Sequence, residues 1–218
     1  MKSKYTHKSI PERIGVAHGF FEISKDNQEV LNLLAKRSFT EEKMKNGYIF
    51  YKEASNEFLI QQKMISERKK SNVIFITEFK KISKEFSTLF MYSKMMFKGN
   101  KEIYYILGLN KVRINSISEI FSELNQYFTN VYNFKSIIEK LEKYGYSKDY
   151  LDNFKERYDN AYKLYLDFKL KESNAIKKTK IRNEKMKLLD NFMCELIEVA
   201  VVIEKTVPDF IITAGIIL

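Results

Sequence analysis

The sequence predicts an all-α fold, an elongated helical bundle built from two similar repeats. The chain has 218 residues but only 7 Gly and 2 Pro, too few turn-forming residues for a β-rich fold. The stretch from Thr40 to Lys98 contains no proline and keeps apolar residues at helical spacing. The same pattern returns 107 positions later. We therefore predict that each repeat has a broken N-terminal helix, one very long helix and a short closing helix.

Adding 107 to each residue number lays the first half of the chain on the second without a gap. The pairs formed in this way include Met44 with Leu151, Tyr51 with Tyr158, Ala54 with Ala161, Leu89 with Leu196 and Gly108 with Gly215. Helical periodicity alone could align apolar positions, but it would not also align helix-capping residues and terminal glycines. We predict repeat unit one at residues 1–109 and repeat unit two at residues 110–218, packed together as one domain.

The N-terminal region of repeat one predicts a helix that is broken near its middle. Residues 1–9 are polar, and we expect them to be frayed. Ser9 and Glu12 form a capping-box pattern with a proline in the first turn. The apolar residues that follow at steps of three or four are Ile10, Ile14, Ala17 and Phe21. A second short helix, or the end of a kinked first one, is predicted around Val30 to Leu34.

The very long helix of repeat one is predicted to begin at a second capping box, Ser38 to Glu41, and to end before Gly99. Its heptad register continues through a polar middle, which favours one continuous or kinked helix. The alternative is an antiparallel hairpin that turns at Ser66 to Asn72. A short closing helix follows at Glu102 to Leu107.

Repeat two is predicted to have the same elements in the same order. They are an amphipathic helix at Arg113 to Tyr127, a short helix at Ile137 to Leu141, a long helix at Ser147 to Lys205 and a closing helix at Phe210 to Ala214. The polar middle of its long helix is Lys171 to Asn183. Gly145 before Ser147 has the pattern of a helix stop followed by an N-cap, so we predict a turn there.

The composition limits the classes of function. The net charge of +10 suits an acidic partner, although abundant Lys, Ile and Asn would also follow from an AT-rich coding sequence. A single cysteine excludes an intramolecular disulfide and a multi-cysteine metal site. No apolar segment resembles a signal peptide or is long enough for membrane insertion. We expect a cytoplasmic protein.

The sequence contains no recognisable catalytic constellation. Its only histidines are His7 and His18, in the region with the weakest helical pattern. Glu-x-x-His pairs, HExxH, and the glycine-rich phosphate and dinucleotide motifs are all absent from the sequence. We therefore expect a protein that is not an enzyme and has no cofactor and no metal site.

The polar middles of the two long helices are candidate anion sites. Their cations are Arg68, Lys69, Lys70, Lys177, Lys178, Lys180 and Arg182. If the long helices cross at these segments, the cations could bind a phosphate or an acidic partner. The alternative is that they only solvate the middle of each helix.

The C-terminal tail is a candidate interaction surface. Ile212, Ile216, Ile217 and Leu218 are too apolar to remain exposed in a soluble monomer. We expect the tail either to dock on its own bundle or to contact a second copy. The function predicted from these features is a non-enzymatic scaffold or protein-interaction module with a protein partner or homo-oligomer. The alternative is a polyanion or nucleic-acid binder that uses the basic mid-helix segments.

The ends of the two halves carry a further pattern. Leu107-Gly108-Leu109 closes the first half, and Pro208-Asp209-Phe210-Ile211 with Gly215-Ile216 closes the second. With this order the chain resembles uncharacterised bacterial helical proteins with two internal repeats. The resemblance implies an all-helical fold and implies no function or residue role.

Overall fold

A computed structural model of the chain describes residues 2–110 and 116–217. These residues form helices and connecting turns, with no strand among them. In chain order the helices are α1 (Lys2–Thr6), α2 (Ile10–Ser24), α3 (Gln28–Ala35), α4 (Glu41–Phe97), α5 (Lys101–Ile106), α6 (Ile117–Asn133), α7 (Lys135–Glu142), α8 (Lys148–Glu204) and α9 (Phe210–Thr213). The all-α prediction is confirmed for this part of the chain. The predicted start of the α6 helix, Arg113, lies outside the described residues.

The two long helices are continuous. Helices α4 and α8 are each 57 residues long, and neither is interrupted in its polar middle. The hairpin alternative at Ser66 to Asn72 is therefore wrong, because the polar residues there remain in regular helix. The Thr40 hydroxyl accepts a hydrogen bond from the Lys43 N–H at 3.3 Å and caps α4.

The predicted cap at Ser38 is one place where the sequence pattern misled. Ser38 has φ of 70° and lies in the left-handed region, where it cannot act as the N-cap of α4. The turn before α8 was predicted correctly: Gly145 has φ of 89°, and the Ser147 hydroxyl accepts from the Tyr150 N–H at 3.2 Å. The hydroxyls of Thr40 and Ser147, whose residue numbers differ by 107, cap the two long helices.

The chain divides into two compact units. Unit 1 consists of Met1–Ser66 and Ser173–Leu218, and unit 2 consists of Glu67–Glu172. Each unit thus contains one half of α4 and one half of α8. The predicted boundary between the repeats, at residues 109 and 110, lies inside unit 2. Each compact unit therefore draws on both halves of the sequence.

Unit 1 is built on an antiparallel pair of helix segments. Lys43 of α4 pairs with Glu195 of α8, whereas Glu57, further along α4, pairs with the earlier Lys178. Helices α1, α2, α3 and α9 contribute buried side chains to the core that forms on this pair. Large buried side chains from these short helices include Tyr5, Phe20 and Phe210, and they pack in one cluster with Phe39 and with Phe192 of α8.

Two contacts of unit 1 explain residues that the sequence pattern did not. Helix α1 is formed and its Tyr5 is fully buried in the core, so the expectation of fraying in residues 1–9 is wrong for the described residues 2–9. A lone tyrosine in a polar stretch gives no periodic signal, which is why α1 was missed. Gly19 of α2 lies against Gly215: a Cβ on Gly215 would meet the Gly19 carbonyl oxygen at 2.6 Å. Gly215 also has φ of 74°, so both the close contact and the backbone conformation require glycine there.

Unit 2 has a more aromatic core. The second half of α4 and the first half of α8 are covered by α6 and α7, and the buried rings include Phe75, Phe86, Phe121, Phe128 and Phe154. At its edge, Glu85 accepts two hydrogen bonds from the Arg157 guanidinium, at 2.6 and 2.7 Å. The Tyr150 hydroxyl also donates to Glu85, at 2.6 Å. These polar groups join α4 to α8 within the unit.

Several helix bounds recur at a fixed interval. Adding 107 to the bounds of α4 gives those of α8, and adding 107 to the bounds of α3 gives those of α7. Below, two residues are called corresponding when their numbers differ by 107. Corresponding residues of α2 and α6, α3 and α7, or α4 and α8 allow the two units to be compared position by position.

Gly47 provides a direct test of the unit 1 core. A Cβ at this position would lie 2.2 Å from the ring of Phe192. That ring is stacked on Phe21 and makes an edge-to-face contact with Phe39. We expect Gly47→Ala to lower the free energy of unfolding by about 1–3 kcal/mol through overpacking. This loss opposes a gain of about 1 kcal/mol in helix propensity. Urea unfolding followed by circular dichroism measures the balance.

The matched control is Gly15→Ala in α2, where nothing lies within 4 Å of the added Cβ. Only the helix-propensity gain applies there, so we expect this variant to be more stable by about 1 kcal/mol. A Gly47→Ala variant as stable as Gly15→Ala would show that Phe192 does not occupy the space above Gly47.

Candidate functional site

The predicted cations fall into two groups that belong to different units. Lys69 and Lys70 of unit 2 are exposed and Arg68 is half-buried. Next to these cations in α4, the Ser71 hydroxyl donates to Asp167 of α8 at 2.7 Å. This hydrogen bond joins the two long helices within unit 2.

The cations of unit 1 are partly neutralised. Lys178 pairs with Glu57 at 3.2 Å, while Lys177 and Lys180 are exposed. Arg182 is half-buried, and its guanidinium donates two hydrogen bonds to the side-chain oxygen of Asn183, at 3.1 and 2.7 Å. Arg182 therefore has a neutral partner, which distinguishes it from Lys178.

The apolar tail divides between the core and the surface. Ile216 is 2% exposed and packs in the core of unit 1. Ile212 and Ile217 are 70% and 71% exposed, and Leu218 lies outside the described residues. Because Ile216 is buried and its N–H donates to the Ile211 carbonyl, the tail docks on its own unit at this residue.

Unit 1 contains a groove of about 900 Å³ between α2, α3 and the start of α4. We call it the α3–α4 groove. Its lining residues are Phe21, Glu22, Ser24, Lys25, Gln28, Leu31, Asn32, Ala35, Phe39, Glu41, Met44, Lys45 and Tyr48. The volume is within the range of ligand-binding clefts.

The groove has an apolar floor and a charged rim. Phe21 and Phe39 are buried at the base, and Leu31 and Met44 are half-buried beside them. At the rim, Lys25 pairs with Glu22 at 2.6 Å. Helix N-caps fix where the two helices that form the sides of the groove begin. The Asn27 side chain caps α3 by accepting from the Val30 N–H at 3.1 Å, and Thr40 caps α4.

In unit 2, a side-chain hydrogen bond joins α6 to α8, the helices that correspond to α2 and α4 of unit 1. Tyr132 corresponds to Lys25, and Asp152 corresponds to Lys45. The Tyr132 hydroxyl donates to the Asp152 carboxylate at 2.7 Å and so joins α6 to α8. Two lysines cannot form such a bond, because neither ammonium group accepts one. The rim of the groove in unit 1 is therefore not closed by these two residues.

A second polar feature of unit 1 lies where α1 and α2 meet α8. We call it the arginine cluster: Tyr5, Arg13 and Asp190. The Tyr5 hydroxyl donates to Asp190 at 3.0 Å, and Arg13 forms an ion pair with the other Asp190 oxygen. The Arg13 Nε is buried and has no hydrogen-bond partner.

Burial controls the titration of the arginine cluster. It raises the pKa of the Asp190 carboxyl, and Arg13 and Tyr5 oppose this rise only in part. Burial also raises the pKa of the Tyr5 hydroxyl, with a further contribution from Asp190. Burial and the nearby charge of Arg13 lower the pKa of Arg182.

The described residues contain neither a candidate metal site nor a candidate membrane span. Within residues 2–110 and 116–217, no group of three or more His, Cys, Asp or Glu side chains is placed to hold a metal ion. In the same part of the chain, no helix is both long enough and apolar enough to cross a membrane.

Comparisons with known proteins give no assignment. No protein-family model, no curated protein and no solved structure matches this chain. The groove and the arginine cluster must therefore be interpreted from their own geometry.

The predicted anion-binding residues include none of the residues that line the groove or form the arginine cluster, and Arg13 was not among the predicted site residues. The signal for Arg13 was available, since its corresponding residue is the apolar Ile120. A comparison of the halves for charge differences, rather than for similarity, would have singled out Arg13, Lys25 and Lys45.

The bond that joins α6 to α8 can be tested by titration. Hydrogen bonds from Tyr132 and then Lys148 hold the pKa of Asp152 below its ordinary value of 3.8. We expect Tyr132→Phe to raise that pKa towards 3.8, because the larger of the two donors is lost. Carboxyl ¹³C NMR titration measures the change, with Tyr144→Phe as the control at an exposed tyrosine.

The sign of the linked stability change follows from the lowered pKa. Asp152 contributes stability above its unfolded-state pKa, and this is lost as pH falls through the folded-state pKa. Tyr132→Phe should therefore weaken the dependence of stability on pH in this acidic range. An unchanged Asp152 titration would show that Tyr132 does not bond to it in solution.

Proposed function

We propose that this protein is a non-enzymatic interaction module that holds an amphipathic helix of a partner protein in the α3–α4 groove. One observation carries the proposal: unit 1 has an open groove where unit 2 has the Tyr132–Asp152 bond across its corresponding helices. A fold that can close this position with one hydrogen bond leaves it open in unit 1, and Lys25 and Lys45 keep the two walls from being tied.

The lining supports a helix as the occupant. Apolar side chains from two different helices, Leu31 and Ala35 of α3 and Met44 of α4, face a common space. Such a surface accepts apolar residues at helical spacing from one face of a bound helix. The rim presents both signs of charge, with Glu22 and Lys25 on one side and Glu41 and Lys45 on the other. Flanking Lys and Glu residues of an amphipathic helix would complement both signs.

The repeat arrangement forms part of the same proposal. We infer that the chain consists of two copies of one helical plan, with a broken N-terminal helix, a 57-residue helix and a short closing helix in each. The equal lengths and the constant interval of α3 with α7 and of α4 with α8 support this inference. So do the positive φ values of the corresponding residues Gly108 and Gly215, and of Ser38 and Gly145. Duplication would allow one copy of the groove to specialise.

Filling the groove provides the test. Ala35 is exposed on α3 and lines the groove, so Ala35→Trp should occupy the space without removing core packing. A displayed library of amphipathic helical peptides of about 15 residues, roughly 22 Å in length, is the probe. We expect selected peptides to bind the native protein and to lose at least about tenfold in affinity for Ala35→Trp. Fluorescence anisotropy measures both affinities.

The matched control is Glu142→Trp, because Glu142 is exposed, corresponds to Ala35 and lies outside the groove. Peptide binding should be unchanged in this variant. Peptides that bind both variants equally well, or a library that yields no binder, would exclude the helix-binding groove. Light scattering measures the oligomeric state of the native protein and of both variants. If the native protein is a dimer and only Ala35→Trp disrupts it, the groove binds a second copy of the chain and not a partner helix.

A further inference from the structure

A cleft of about 450 Å³ lies between α6 and α8 in unit 2. We call it the tyrosine pocket. Its lining residues are Ser118, Phe121, Ser122, Asn125, Tyr158, Asp159, Tyr162 and Tyr165. On each helix these residues fall on one face, since positions three, four and seven apart lie on the same side of a helix. The pocket shares no residue with the α3–α4 groove, so its ligand is independent of the proposed function.

The walls of the pocket are aromatic rings at different inclinations. The Phe121 ring is inclined to those of Tyr158, Tyr162 and Tyr165 by 55°, 68° and 35°, with centroids 5.9, 5.2 and 5.4 Å away. A flat ligand stacks best between parallel faces, whereas a compact, rounded group can contact rings at several inclinations. Tyr162 is 41% exposed, so the aromatic lining reaches the solvent. The pocket therefore suits a rounded group that enters from water.

The charge in the lining is negative. Asp159 is the one charged residue among the lining residues that the structure describes. Lys155, which is not in the lining, donates to both Asp159 oxygens, at 2.6 and 2.7 Å. Exposed ion pairs at this helical spacing are weak, and a carboxylate has enough lone pairs to serve a second cation. A carboxylate beside several π faces favours a positively charged ligand.

The chain itself places ammonium groups over the tyrosines at this position of both units. Tyr158 corresponds to Tyr51, and Asp159 corresponds to Lys52. In unit 1, the Lys52 Nζ lies over the Tyr51 ring, 5.6 Å from its centroid. In unit 2, the Lys155 Nζ lies over the Tyr158 ring at 5.1 Å. Both distances are within the range of cation–π contacts.

Unit 2 adds rings to this position. Phe121 corresponds to Ile14, and Tyr162 corresponds to Ser55, so neither ring has a counterpart in unit 1. No Lys or Arg side chain of the described residues lies over the rings of Phe121, Tyr162 or Tyr165. Unit 2 thus has π surface beyond what its own cations cover.

We propose that the tyrosine pocket binds a quaternary ammonium group, with Phe121, Tyr162 and Tyr165 against its methyl groups and Asp159 balancing its charge. Such a group is rounded and positively charged, and aromatic rings can surround it because it has no N–H groups to hydrogen-bond. A primary ammonium would lose hydrogen bonds to water in the same place. The polar end of the ligand would face the neutral polar side chains that α6 contributes to the lining, Ser118, Ser122 and Asn125.

A proton NMR titration of the full chain with choline, at constant ionic strength, tests the site. We expect the choline methyl resonance to shift upfield, because the methyl groups would lie against ring faces. The comparison ligand is the neutral isostere of choline, in which a tert-butyl group replaces the trimethylammonium group. It should bind at least about tenfold more weakly, since it keeps the shape and loses the charge.

Tyr162 allows the ring to be removed without disturbing the core. Tyr162→Leu keeps an apolar side chain and loses the π face, so we expect choline affinity to fall about threefold to tenfold. Tyr162→Phe keeps the ring and should stay within about twofold of the native affinity. The control is Tyr144→Leu at an exposed tyrosine outside the pocket, where affinity should be unchanged.

The charge is tested by Asp159→Lys, which copies Lys52 of unit 1 into the pocket. We expect it to abolish choline binding, because an ammonium group then lies beside the rings. The control is Asp149→Lys, the same charge change at an exposed position in the first turn of α8.

Four results would overturn the proposal. They are no choline shift with the native protein, equal affinity for choline and its isostere, a Tyr162→Leu variant within about twofold of the native affinity, and equal binding by Asp159→Lys and Asp149→Lys.

The source of the quaternary ammonium group is resolved by a second titration. A short peptide with one trimethyllysine presents the same group on a protein. Tighter binding of this peptide than of choline assigns the pocket to a methylated protein, and equal or weaker binding assigns it to a free small molecule. Both assignments require that Tyr162→Leu weaken the interaction, which ties either one to the pocket.

Discussion

The antiparallel pairing of α4 with α8 is the contact on which both cores depend. In unit 1 the pairing is close enough that the Phe192 ring lies over Gly47, where any side chain would collide with it. In unit 2 the same two helices meet through larger residues, with Phe75 of α4 against Tyr165 and Phe168 of α8. The shorter helices of each unit then cover the apolar face that the pair presents.

The polar middles of the long helices remain helical because their polar groups are bonded across the pair. In unit 1, the Gln61 side chain is buried and donates to the Thr179 hydroxyl at 3.2 Å. In unit 2, Ser71 is buried and donates to Asp167, whose pKa is lowered by hydrogen bonds from Lys171 and Ser71. Buried polar groups cost little when they are satisfied in this way. The polar segments therefore did not need to be turns, which is why the hairpin alternative failed.

Much of the fold was predictable, because helix caps and heptad spacing act locally. The starts of α2 and α8 followed from Ser9 and Ser147, and the long uninterrupted elements followed from the lack of proline. The missed features depend on contacts that local patterns do not encode. Tyr5 packs in the core of unit 1, and its hydroxyl donates to Asp190, which is 185 residues away in the chain. Ser38 occupies a left-handed turn that its sequence pattern marked as a cap, and Gly19 is explained only by the approach of Gly215.

The candidate sites were harder to predict than the fold, since they lie where the corresponding halves of the chain differ. A search for repeats identifies residues that are similar in the two halves, so it does not identify positions where the halves differ. Lys45 in place of an aspartate, and Arg182 in place of a phenylalanine, each look unremarkable in a lysine-rich helix. Compared position by position, Lys45 stands where unit 2 has the hydrogen-bond acceptor Asp152, and Arg182 stands where unit 2 has the buried ring of Phe75. Because neither charged side chain adds apolar packing, these two positions stand out only when corresponding residues are compared for differences in charge.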